Sequence, residues 1–330
     1  MRRPDVNFYD QWLSTGERLE GALRTPPIVA RGRDLRWIET PQDARVAMII
    51  GEAVGFPTQG TSLVKAEIAA RSHTGKHTHG EEAIYILAGR GFTVIDGARY
   101  DWKPGTTLHV PYFAEHQHFN TGDDHAVYLS ASTIDLDNAA KVGRLVQLEG
   151  KGPNDPGIES VYPPSASQFA PDGRRIALHL EDAIDENARR HSGHGGHHQG
   201  QQAHRHAGIW ILMGGSESQS DETNGFRAKA AAMTNIFEET AHSSSHKHAH
   251  TEAMLYVLEG KGYSEVDGVR YDWEAGDAVH VPPRMTVHEH FNDSDARTRT
   301  LRVEFGIRYF YEALWAGYAK VEHRAEAMAR

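Results

Sequence analysis

The chain has 330 residues, with 35 Lys and Arg, 45 Asp and Glu, 22 His and no Cys. Its length suits two domains of roughly 100–200 residues each, or one large one. The missing cysteine excludes disulfides, thiolate metal sites and a cysteine nucleophile, and the formal charge of −10 argues against general nucleic-acid binding, which depends on clustered Lys and Arg.

No apolar run approaches the roughly 20 residues that cross a bilayer. No apolar stretch follows Arg2 and Arg3, so no signal peptide is expected. These features predict a cytoplasmic protein with no membrane or nucleic-acid partner. Residues 6–23 have helical spacing through Phe8, Trp12 and Leu19, with Ser14-Thr15-Gly16 as a candidate break. A helix here is expected to cap a barrel or to form a subunit interface.

The next stretch begins a repeat. Residues 77–111 read HTHGEEAIYILAGRGFTVIDGARYDWKPGTTLHVP, and residues 248–282 read HAHTEAMLYVLEGKGYSEVDGVRYDWEAGDAVHVP. The two align without a gap, and about half the positions are identical. After one inserted residue, His116-Gln117-His118-Phe119-Asn120 returns as His288-Glu289-His290-Phe291-Asn292. The chain therefore carries two copies of one domain. Short apolar runs at 83–87 and 254–258 stop at Gly89 and Gly260 and read as strands. Asp96-Gly97 and Asp267-Gly268 are hairpin signals. Many short strands joined by Gly-rich turns indicate an all-β barrel or jelly roll.

Between the copies lies a polar, Gly- and Pro-rich connection. It contains His191, His194, His197, His198, His204 and His206. It reads as a mobile linker, with a metal-buffering tract as the sharper alternative. At the other end of the chain, residues 309–328 are predicted to form a helix through Tyr309, Leu314, Trp315, Tyr318 and Val321.

Alternate side chains on a strand share a face, so His77 with His79, and His248 with His250, can each point into one barrel. His116 and His288 supply a third imidazole in each copy. Three neutral imidazoles that leave positions open suit zinc, iron or copper. His109, His118, His280 and His290 also recur, as pocket residues or as groups that orient the ligands. Tyr85 and Tyr256 are expected in the core. Arg71 and Arg284 are candidates to grip a substrate carboxylate through a planar fork.

The motifs resemble those of the cupin superfamily, specifically the bicupins. His77-x-His79, Glu82 and Gly89 follow the family's first motif, and Pro111, His116 and Asn120 its second. His248-x-His250, Gly260, Pro282, His288 and Asn292 repeat them. The resemblance covers both repeats and implies two tandem double-stranded β-helix (jelly-roll) barrels with helical extensions. The expected division is an arm at 1–37, barrels at 38–135 and 208–307, a linker at 136–207 and a helix at 308–330. Glu82 departs from the family spacing by one residue, and Ala253 stands at its counterpart. Glu81 and Glu252 do correspond. On a regular strand they face the same way as His79 and His250, as ligands, partners of ligands or exposed charges. A three-His site is expected in the second domain, and three His with or without a Glu in the first.

Three histidines leave room for a bidentate substrate and O₂ together. Among bicupins this pattern is similar to the gentisate and salicylate dioxygenase group, which implies Fe(II), a small hydroxylated aromatic or carbonyl acid, and a homo-oligomer. Bicupin oxalate decarboxylases carry the Glu in both domains and use manganese, and Ala253 weighs against them. The alternatives are an oxygen-independent isomerase, lyase or decarboxylase using Mn, Ni or Zn, and a non-catalytic metal store or small-molecule sensor. The Glu pair of the first copy favours that copy for catalysis.

Overall fold

A computed structural model describes residues 7–185, 206–213, 224–245, 247–305 and 307. The helix expected at 309–328, five of the six tract histidines (191, 194, 197, 198 and 204), the side chain of His206, and His246 and His323 lie outside the described residues.

Each repeat folds as two facing antiparallel sheets. In the first barrel one sheet runs in the order Ala177–Leu178, Thr107–Val110, Glu82–Ala88, Ala126–Ser132, Ser62–Ile68, Arg45–Ile50. The facing sheet centres on His116–Asn120, which pairs with Lys76–Thr78, Ser72–His73 and Gly91–Ile95. The second barrel repeats this plan around Ala253–Glu259 and Thr286–Asn292. The Asp-Gly hairpins form as expected. Asp96 and Gly97, and likewise Asp267 and Gly268, all take positive φ, as the tight primed turn requires.

Strand periodicity divides the apolar residues between two tasks. On Glu82–Ala88, Ile84 and Ile86 enter the interior of the first barrel. Ala83 and Tyr85 point the other way, into a cluster shared with Met254, Tyr256, Leu301, Val303 and Phe305 of the second barrel. On Ala253–Glu259 the same alternation sends Leu255 and Val257 into the second barrel. The two repeats thus share a core, and Tyr85 and Tyr256 pack in it.

The barrels also exchange leading segments. Val29–Ala30, from the N-terminal arm, pairs with Ala278–Val281 of the second barrel. Ala177–Leu178, from the connection, pairs with Thr107–Val110 of the first. The backbone N–H of His280 donates to Ile28 O at 2.7 Å, and that of His109 to Ile176 O at 2.9 Å. A single 3₁₀ turn follows each segment, Gly32–Asp34 and Leu180–Asp182.

Two expectations are corrected here. The stretch read as a linker, as far as residue 185, is built into the fold. Its strand Val146–Glu149 pairs with Lys76–Thr78, and Gly152–Pro153 pairs with Ser72–His73. Strands of two to four residues are too short for apolar periodicity to reveal them. The N-terminal helix, Phe8–Arg24, runs unbroken through Ser14-Thr15-Gly16 and caps no core, since none of its residues is buried and Phe8, Tyr9, Trp12, Leu13 and Leu19 are exposed; this overturns the capping role and not the subunit interface. Among the described residues no helix is long and apolar enough to cross a membrane.

Candidate metal centres

Strand register brings the histidines together. His116 lies directly across the ladder from His77, and His288 from His248. In the first barrel the rings of His77, His79 and His116 have centroids 4.1–4.9 Å apart. In the second, those of His248, His250 and His288 are 4.3–5.1 Å apart. Within each trio one ring nitrogen per residue lies within 4.8 Å of the others.

The backbone sets which nitrogen faces inward. His79 Nδ1–H donates to Gly80 O at 2.9 Å and His116 Nδ1–H to Ala114 O at 2.9 Å. His250 and His288 use Thr251 O at 2.6 Å and Thr286 O at 2.9 Å in the same way. A carbonyl holding Nδ1–H leaves the Nε2 lone pair aimed at the centre, the usual orientation device for an imidazole ligand.

The two centres differ in their fourth group. Glu82 Oε2 lies 3.4 Å from His79 Nε2 and 3.5 Å from His116 Nε2, while Ser130 donates to its other oxygen. Glu82 Oε2 and His116 Nε2 are buried without a hydrogen-bond partner. Buried polar atoms are normally paired, so orphan atoms gathered around one point fit a metal ion, with His77, His79, His116 and Glu82 as its donors. Burial works against the charge of Glu82, but the adjacent His116 and His79 outweigh it and hold its carboxyl well below the usual range. Burial, reinforced by His116 and His79, drives the pKa of His77 far down. In the second barrel Ala253 takes the place of Glu82 and is fully buried, so among the described residues the cluster there is three histidines.

Access differs as well. His77, His79 and His116 are at most 5% exposed. The strand Lys76–Thr78 is covered by Val146–Glu149, and Asp137 of the helix Ile134–Ala140 packs so tightly on Gly80 that a Cβ there would lie 1.6 Å from its Oδ2. Among the described residues the strand His248–His250 pairs with Thr286–Asn292 alone, and His248 is partly exposed. Among the described residues the second centre is the less covered one.

Glu81 and Glu252 lie elsewhere. The Glu81 carboxylate accepts from His109 Nε2 at 2.8 Å and from the backbone N–H of Lys229 and Ala230 in the second barrel. Glu252 accepts from His280 Nε2 at 2.9 Å and, in the first barrel, from Gln59 N–H at 2.9 Å and Thr61 Oγ1 at 3.0 Å. Counting in twos from His79 fails because the ladder breaks after Thr78 and resumes at Glu82. Glu82 therefore joins the inward face of Ile84 and Ile86, while Glu81 faces the other barrel.

His118 and His290 sit beside the centres, their rings 5.8 Å from His116 and 5.4 Å from His288. Their Nδ1 atoms are held by Thr93 Oγ1 and Ser264 Oγ, each at 2.7 Å. His118 also has a nitrogen within 4.8 Å of both Glu82 and His116, and burial pushes its pKa down to about 3. Neither arginine candidate reaches a cluster. Arg71 pairs with Asp123 in an exposed turn, and Arg284 donates to Glu20 of the N-terminal helix. Sequence reasoning missed Ser130, Thr93 and Ser264, and also Tyr128, which donates to buried Asp43 at 2.6 Å. Single hydroxyls at these positions carry no spacing signal.

The family model for the cupin domain matches residues 64–132 and 235–304, one match in each barrel. Each barrel therefore carries a cupin domain. It is 34% identical over 93 residues to 5-aminosalicylate 1,2-dioxygenase of Comamonas sp; the match covers 28% of this chain and spans a quarter (25%) of that curated relative. The solved structure of salicylate 1,2-dioxygenase from Pseudoaminobacter salicylatoxidans, described as adducts with gentisate, superposes with a TM-score of 0.61 at 13% identity, covering 96% of this chain and 94% of that one. An oxalate decarboxylase of Bacillus subtilis, described with Mn(II) centres, superposes with a TM-score of 0.59 at 13% identity, covering 85% and 77%. At these identities the structural matches establish the jelly-roll fold.

Proposed function

We propose that the protein is a nonhaem Fe(II) dioxygenase acting on a small hydroxylated aromatic or carbonyl acid, with the second barrel as the reacting site. The observation that carries this reading is Ala253, a methyl group where the first barrel brings a carboxylate. A metal there would keep three positions for substrate and O₂, and iron would supply the redox chemistry that joins them. The similarity to two dioxygenases of aromatic acids supports the same reading.

The residues of the second barrel prepare the site. The carbonyls of Thr251 and Thr286 fix the rings of His250 and His288. Trp273 Nε1–H donates to Ser264 Oγ at 2.9 Å, leaving the hydroxyl proton for His290 Nδ1 and so fixing that ring. Buried Leu255, Val257, Val279 and Val281 keep water out of the barrel interior. The closed first centre, with its carboxylate, is assigned to holding metal rather than to turnover, which reverses the preference drawn from its Glu pair.

The test is oxygen uptake by Fe(II)-reconstituted protein across gentisate, salicylate, hydroxynaphthoate and diketone substrates. Uptake with at least one of them, lost in His248→Ala and kept in His77→Ala, is expected. No uptake with any of them sinks the reading. Glu82 favours a second reading, an oxygen-independent isomerase, lyase or decarboxylase using Mn, Ni or Zn; the likeness to the manganese decarboxylase is in line with it. Turnover under argon would establish that alternative.

A further inference from the structure

The two barrels grip each other through a crossed pair of carboxylates outside both histidine clusters. Glu81, next to Glu82 and two residues from His79, reaches the second barrel at Lys229 and Ala230, immediately before the strand Ala231–Glu239. Glu252, two residues from His250, reaches the first barrel at Gln59 and Thr61, immediately before the strand Ser62–Ile68. Both residues are 1% exposed. We propose that Glu81 and Glu252 are positioning residues that seat each barrel's ligand-bearing turn on the opposite barrel, so that the two metal sites fill cooperatively. The proposal rests on reading both clusters as metal sites.

The chemistry of the contacts calls for a carboxylate. Each of the partners named above is a donor: an imidazole N–H, backbone N–H groups and one hydroxyl. The Nδ1 atoms of His109 and His280 are buried without a partner, which places the ring proton on Nε2, facing the glutamate. An acceptor-only group satisfies such donors, and a buried carboxylate needs them to offset its lost hydration. An amide at either position would turn its own N–H₂ towards another donor.

The connectivity makes the link reciprocal. A metal that fixes His79 and Glu82 also fixes Glu81 between them, and with it the start of Ala231–Glu239. That docks the barrels, whose exchanged segments already bind each other's edges. Docking presents Gln59 and Thr61 to Glu252 and orders the turn that carries His250. Ordering done by the first ion is then not needed again for the second, which is positive coupling between sites.

The experiment titrates Co²⁺ into the full-length apo chain by calorimetry. Wild type is compared with the single-site variants His248→Ala and His77→Ala, each with and without Glu81→Gln plus Glu252→Gln. Each site is expected to bind about fivefold or more tightly when the other is intact, and the ratio should fall to near one in the glutamine background. Thr61→Val serves if the glutamine variants do not fold. It removes one donor in the first barrel and touches no histidine, yet it should weaken Co²⁺ binding at the second site in the His77→Ala background. Independent sites in wild type, a ratio unchanged by the glutamines, or no effect of Thr61→Val overturns the proposal. Absence of Co²⁺ binding in wild type overturns the metal reading together with it. Cooperative binding without oxygen uptake overturns the dioxygenase assignment alone.

Discussion

Glu82 and Ala253 occupy equivalent positions in the two barrels, each the first residue of its strand and each on the face that turns into its own barrel. One brings a buried carboxylate oxygen to 3.4 Å from a ring nitrogen; the other brings a methyl group. Exchanging these side chains should exchange the properties of the sites. In a His248→Ala background, Glu82→Gln is expected to lower metal affinity at the first centre by about 10–100-fold or more, since even groups that only orient a ligand cost that much. Ala253→Glu should tighten metal binding at the second centre and depress oxygen uptake by occupying an open position. Metal content and oxygen-electrode rates check both, and unchanged uptake in Ala253→Glu would remove the main argument for that site.

Asp43 makes the stability depend on pH. It is 5% exposed and accepts the Tyr128 hydroxyl. Burial pushes its pKa from 3.8 up to about 7, partly opposed by that hydrogen bond and assisted by the charge of Glu82. Between these values the folded chain holds a proton that the unfolded chain has released. Its contribution to stability is therefore complete below about pH 3.8 and is lost as pH rises through about 7. Asp43→Asn keeps the acceptor oxygen and removes the titration. The difference in stability between wild type and variant should shift by on the order of a few kcal/mol across this window. Urea denaturation at several pH values, with chelator present, measures it; parallel pH profiles would refute it.

Much of this architecture was legible because duplication writes the same signal twice. The repeat, gapless over its first part and offset by one more residue after it, sets His77, His79 and His116 against His248, His250 and His288, and the ladder joins them as the spacing requires. What escaped was set by breaks and by distance. The interruption between Thr78 and Glu82 swaps the faces of Glu81 and Glu82, and no composition rule marks that change of parity. The exchanged segments pair Val29 with Val279 and Ala177 with Leu108. Two-residue strands contribute too few alternations to be seen, and the first of these pairings spans most of the chain.

The shared core predicts that the barrels unfold as one body. Leu301 is fully buried in the cluster that also contains Leu63, Leu129 and Tyr85 of the first barrel. Leu301→Ala should cost about 2–5 kcal/mol, the sum of lost burial and the cavity left behind. Hydrogen exchange should show loss of protection in both barrels alike, because neither interface sheet keeps its partner when the cluster loosens. Destabilisation confined to the second barrel would show that the halves are separate folding units.

The histidine tract offers a last separation of roles. Six histidines lie at 191–206, and imidazoles in any polar segment bind divalent metals weakly. The two strand-borne clusters have what a tight site needs: burial, convergent nitrogens and carbonyls that fix the rings. Deleting residues 191–206 should therefore leave tightly held metal near two ions per chain and change only the weak binding that dialysis removes. His77→Ala and His248→Ala should each take away one of the two tight ions. Elemental analysis of tag-free protein, dialysed before measurement, distinguishes the cases. A fall in tightly bound metal on deletion would make the tract a store and move the function away from catalysis.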